Sequence, residues 1–93
     1  MGAGAQIACK VARGMFSTER VVRIDFPDGK SVSALVDEDK VIVKADPKPG
    51  EFVDGKVKIS IVEKERGFYI IDLPGTGITN GTRVRVPESW IRK

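Results

Sequence analysis

The sequence predicts an all-β protein: a small single-domain barrel of about six or seven short, mostly antiparallel strands with a short helical turn near the C-terminus. Three observations predict it. Apolar and polar residues alternate along most of the chain, and no segment repeats its apolar residues at helical spacing. Turn-forming residues recur roughly every 8–12 positions. The 93 residues suffice for one domain with a modest core, without repeats or a second composition zone.

The elements follow in order. Residues 1–5 are small and featureless and read as a flexible tail, leaving residues 6–93 as the barrel domain. Ile7, Cys9 and Val11 alternate with Ala8, Lys10 and Ala12, which predicts a strand over about 6–13. Residues 14–17 (Gly-Met-Phe-Ser) break it. Val22, Ile24 and Phe26 then share one face, with Val21, Arg23 and Asp25 on the other. Pro27-Asp28-Gly29-Lys30 is the clearest turn in the chain, because proline fixes φ and Asp-Gly tolerates the positive φ of a tight hairpin. Its partner strand is Ser31–Val36, with Val32, Ala34 and Val36 inward. Asp37 to Lys40 make a polar turn into a short strand, Val41–Lys44.

The stretch 46–51 holds two prolines and a glycine, which cannot continue a ladder. Val57, Ile59 and Ile61 form the inward face of a half-buried strand. A polar turn at 63–67 leads into Phe68–Leu73, apolar on both faces and therefore expected at the centre of the sheet. Residues 74–81 read as a loop. Val84 and Val86 face inward with Arg83 and Arg85 outward. Proline is favourable at the first position of a helical turn, so Pro87-Glu88-Ser89 predicts one. Trp90 and Ile91 then close over an end of the core. This ending is similar to the helical turn before the last strand of SH3-like barrels. Periodicity alone leaves an SH3-like and an OB-like barrel both open, since strand order is not written in it.

The chain has no histidine and one cysteine. That removes Ser-His-Asp and Cys-His nucleophile systems, thiolate and histidine zinc sites, and dithiol redox pairs. No metal or cofactor is expected. Asp37-Glu38-Asp39 lacks the ligand order of a calcium loop and reads as a solvated turn. The glycines at 75, 77 and 81 miss the G-x-G-x-x-G spacing and precede a strand rather than a helix, so no dinucleotide loop is predicted. Cys9 reads as a buried apolar thiol. With no secretory signal and no apolar run of about 20 residues, the protein reads as cytoplasmic, with no membrane partner. On that basis the Asn80-Gly81-Thr82 sequon is not expected to be used.

Catalysis is not expected. Only Tyr69, Lys58 and Asp72 qualify as acids or bases, in a site formed at an oligomer interface. Two binding readings remain. Met15, Phe16, Phe52 and Val53 are apolar residues in loops, where exposed apolar groups mark contact patches, so a protein partner or a homo-oligomer is the leading expectation. The alternative is RNA or single-stranded DNA held by an outward basic stripe, Arg23, Lys58, Arg83 and Arg85. Tyr69, Phe16 and Phe52 are the aromatics left to stack on bases, because Phe26, Phe68 and Trp90 are assigned to the core. The net charge of +3 is unevenly spread: residues 1–24 and 80–93 are basic and the middle is acidic. If the two ends pair as strands, they make one basic face.

Overall fold

A computed structural model of the chain describes residues 4–79 and 81–92. It shows an antiparallel sheet built from β1 (Ala5–Arg13), β2 (Glu19–Asp25), β3 (Ser31–Asp37), β4 (Val41–Ile42), β5 (Val53–Glu65), β6 (Phe68–Asp72), β7 (Thr76–Thr79), β8 (Arg83–Pro87) and β9 (Ile91–Arg92), with single 3-10 turns at Glu38–Lys40 and Glu88–Trp90. The main path runs β7-β3-β2-β1-β5-β6-β8, with β4 added beside β5 and β9 beside β1.

The sheet cannot be flat. Residues 80–82 alone join β7 to β8, the two edges of the seven-stranded path. Four Cα steps of about 3.8 Å reach at most about 15 Å. Flat edges would stand about 29 Å apart at about 4.8 Å per strand. The sheet therefore curls into a half-barrel, and its concave face buries the core. Ile7, Cys9 and Val11 of β1 meet Val22 and Ile24 of β2, Val32, Ala34 and Val36 of β3, Val57 and Ile59 of β5, Tyr69 and Ile71 of β6, and Val86 of β8. Phe26 and Trp90 stack over one end, ring centroids 5.5 Å apart.

The predicted hairpin at 26–30 forms. Phe26 N–H donates to Lys30 O at 2.8 Å, Gly29 N–H to Phe26 O at 3.0 Å, and Lys30 N–H to Asp28 Oδ1 at 3.0 Å. The two ends of the chain do pair, Gln6 with Arg92 and Ile7 with Ile91. Pro87 ends β8, and the helical turn begins one residue later, at Glu88.

Several expectations change. Residues 1–3 of the expected tail lie outside the described residues, and Ala5 already belongs to β1 and is buried. The short strand after the acidic turn is only Val41–Ile42. The central strand is β1, not Phe68–Leu73; β6 lies between β5 and the edge strand β8. Its inward residues are Tyr69, Ile71 and Leu73. Tyr69, expected at the surface, is 6% exposed, whereas Phe68 is half-buried on the convex side beneath the Arg85 guanidinium, 3.9 Å from its ring. Ile61 is 38% exposed rather than core. Ile61 shares the face of the buried Ile71 with which it pairs, but pairing of β5 with β1 ends at Ile59, so no β1 residue lies beside it, and a bulge follows between Ile61 and Glu63.

The loop 74–81 contains β7, which pairs with β3 through a register shift at Ser33/Ala34. Gly75 makes this possible: at φ +82°, a Cβ there would sit 1.9 Å from the Leu35 carbonyl oxygen. Asn80 of the sequon lies outside the described residues.

Replacing Ile71 by alanine deletes a fully buried side chain and should cost about 2–5 kcal/mol. Ile61→Ala, on the part of β5 that β1 no longer flanks and already 38% exposed, should cost less than about 1 kcal/mol. Urea denaturation of the two variants checks the difference in burial; equal losses contradict it.

Candidate functional site

The 14–18 turn between β1 and β2 carries the two most exposed large apolar side chains among the described residues, Met15 at 88% and Phe16 at 65%. It is tightly held. Gly14 N–H donates to Glu19 O and Glu19 N–H to Phe16 O, both at 3.0 Å. The Glu19 carboxylate folds back so that Oε1 accepts from the Met15 and Phe16 amides at 3.2 and 3.4 Å. A Cβ on residue 14 would lie 2.6 Å from Glu19 Cβ, so glycine alone lets the carboxylate fold back this way.

Behind the turn lies Arg20, a buried cation that sequence reasoning did not single out, 7% exposed. It donates to the carbonyls of Ser17 at 2.9 Å and Glu19 at 2.7 Å. It also pairs with Glu38 at 3.3 Å and Asp46 at 3.7 Å. Thr18 O accepts from Glu38 N–H at 2.8 Å, and Pro47 O, in the neighbouring loop, accepts from Arg13 Nε at 2.9 Å. Two loops and a 3-10 turn are thus tied to one guanidinium and its neighbours. The only sequence signal for this was the inward parity that Arg20 shares with Val22 and Ile24.

The other predicted contact residues separate. Phe52 is half-exposed, and the Arg23 guanidinium lies 4.4 Å above its ring. It sits at the end of β5 nearest the 14–18 turn, since Val53 pairs with Val11. Val53 itself is half-buried and packs against the core.

The four cations of the expected stripe are not brought together, because β1, β5 and β6 lie between β2 and β8. Arg83 holds Asp72 in a two-pronged pair, both contacts 2.9 Å. Arg85 binds Glu65 at 2.8 Å. Arg23 Nε lies 3.1 Å from Asp25 without the alignment of a hydrogen bond. Lys58 has no ion-pair partner among the described residues. The Arg83 hydrogen bonds hold the Asp72 carboxyl below its ordinary range, and Asp72 in turn raises Arg83. Tyr69 is in the core, so it does not join Lys58 and Asp72 on the convex face. Among the described residues no group of three or more metal-ligating side chains gathers. No helix among them is long and apolar enough to cross a membrane.

A groove of about 540 Å³ opens where β2 diverges from β1 and β9 takes its place, lined by Ala8, Lys10, Lys56, Ser89, Trp90 and Arg92. Cys9 borders it, its thiol pushed up to about 12 by burial. Comparison with protein-family models, curated proteins and solved structures finds no match for the chain.

Two predictions follow from this geometry. Arg20→Met removes the shared donor and should cost about 1–3 kcal/mol, because the Ser17 carbonyl loses its Arg20 donor and the Glu19 carbonyl keeps only Gly14 N–H; proteolysis of the 14–18 and 44–50 loops should rise with it. Cys9 should resist alkylation at pH 8 in the native protein and react quickly only after unfolding. Its raised pKa also contributes stability that is intact below about 9, the ordinary thiol value, and is lost as pH climbs toward about 12.

Proposed function

We propose that this chain is a non-catalytic docking module that engages a protein partner through the Met15–Phe16 tip. One observation carries the reading: the two most exposed large apolar side chains among the described residues stand side by side on a turn fixed by at least five hydrogen bonds. An apolar pair held rigidly in water gains nothing for the free protein, whereas a preordered tip loses little entropy on entering a pocket. The tip is far smaller than the roughly 800 Å² per partner of a standard interface, so it acts as an anchor in a concave apolar pocket of the partner. Phe52, at the same end of the barrel, extends the contact. The β8, 3-10 turn and β9 succession supports an SH3-like reading of the barrel. A lone buried cysteine suits a cytoplasmic setting.

Met15→Ser combined with Phe16→Ser should leave the unfolding free energy within about 0.5 kcal/mol of the parent, since both side chains are in water. The same double variant should weaken a purified partner by more than about 10-fold, the loss of a central anchor. Sedimentation of the chain alone reports whether that partner is a second copy: a concentration-dependent dimer abolished by the double variant identifies it as such. An affinity untouched by the substitutions rules the tip out.

A further inference from the structure

We propose that the groove at the β9–β1–β5 junction and the convex patch beside it bind single-stranded nucleic acid, with Lys56, Lys58 and Arg92 contacting phosphates and Trp90 offering a stacking surface to a base. This site is separate from the Met15–Phe16 tip and from the arginines of β8.

The register builds it. Gln6 pairs with Lys58 on one side and with Arg92 on the other, and Ala8 pairs with Lys56. Alternate residues of a strand share a face, so Gln6, Ala8, Lys56, Lys58 and Arg92 form one continuous patch opposite the buried Ile7, Val57 and Ile91. The charges on this patch are not balanced. The two carboxylates that line the groove, Asp54 and Asp25, are already engaged by Lys10 and Arg23. Lys56, Lys58 and Arg92 are exposed and have no ion-pair partner among the described residues. A region of the sheet that pairs its carboxylates internally and leaves three cations over is complementary to a polyanion.

The groove also has a shape that a plain cationic surface lacks. Ala8, exposed and reduced to a methyl group, leaves space between Lys56 on one neighbouring strand and Trp90 beyond the other edge of β1. Trp90 lines that space while Phe26 stacks on it, which fixes the ring in place. An aromatic beside a cationic track is the combination by which single strands are held without sequence preference. The open groove and cations spread over two strands suit a chain of phosphates rather than one terminal phosphate.

Trp90 is the one tryptophan in the chain, so its fluorescence reports the site directly. The probe is an oligouridylate of about 12 nucleotides, titrated at about 50 and 200 mM salt, with heparin as a polyanion without bases. Binding should quench Trp90 and weaken by about 20-fold between the two salt concentrations, the response of about three phosphate contacts at roughly 0.7 each. Lys56→Ser, Lys58→Ser and Arg92→Ser combined should abolish the quench and flatten the salt dependence. Arg83→Ser with Arg85→Ser, and the Met15/Phe16 double variant, should bind as the parent does. No binding at low salt would falsify the proposal. So would heparin binding as tightly as the oligonucleotide without a change in Trp90, or loss of binding through Arg83 and Arg85 instead.

Discussion

A protein made of a single sheet has no second layer to cover its apolar face, so that face must be buried against itself. Everything in this fold follows from that constraint. The curl brings the inward residues of β1, the central strand, within reach of β3 and β6, which lie two strands away on either side. It is enforced by covalent economy, since three residues join the two edges of the path. Small inward residues allow it: Ala34 and Cys9 take little room, and Gly55 admits no Cβ without meeting the Val43 and Val11 side chains at 2.7 and 2.9 Å. Gly75 lets β7 ride directly on the backbone of β3.

The curl also divides the surface into regions with different work to do. The concave side is spent on packing, so chemistry is confined to the convex face and the two ends. On the convex face Arg83 pairs with Asp72 of the neighbouring β6, and Arg85 reaches across β6 to Glu65 of β5, roofing Phe68 on the way. Those pairs keep a short edge strand charged, which discourages edge-to-edge association. They also make these arginines poorer candidates for phosphate than their sequence positions suggested. At the β9–β1–β5 junction the balance differs, because the cross-strand neighbours of the cations are Gln6 and Ala8 rather than acids.

The end of the barrel carrying the Met15–Phe16 tip is organised by polar groups rather than by apolar burial. Arg20 occupies an inward position that continues the parity of Val22 and Ile24, yet it sits where the barrel opens. There its guanidinium meets carbonyls and two carboxylates that remain partly in water. A buried cation is tolerable on those terms, with its donors occupied and its partners solvated. The result is a rigid rim at the end where an apolar residue would have taken the guanidinium donor from the Ser17 carbonyl.

Much of this protein was legible in the sequence because the signals are local. Period-2 alternation gave the inward faces of β1, β2, β3 and β8, and Asp28-Gly29 gave the hairpin, since side-chain alternation and turn chemistry depend on neighbours within a few residues. Where both faces of a run are apolar, as in Phe68 to Leu73, periodicity cannot choose between them. The shared parity of Tyr69, Ile71 and Leu73 was the available clue to the true inward face. Only the tertiary structure decided that β1 is central, that residues 76–79 form a strand, and that Arg83 and Arg85 face acids while Lys56, Lys58 and Arg92 do not. Strand order and the pairing of charges are set by closure between residues distant in the chain. A side chain's availability to a ligand depends on which strand lies beside it, and no local pattern records that.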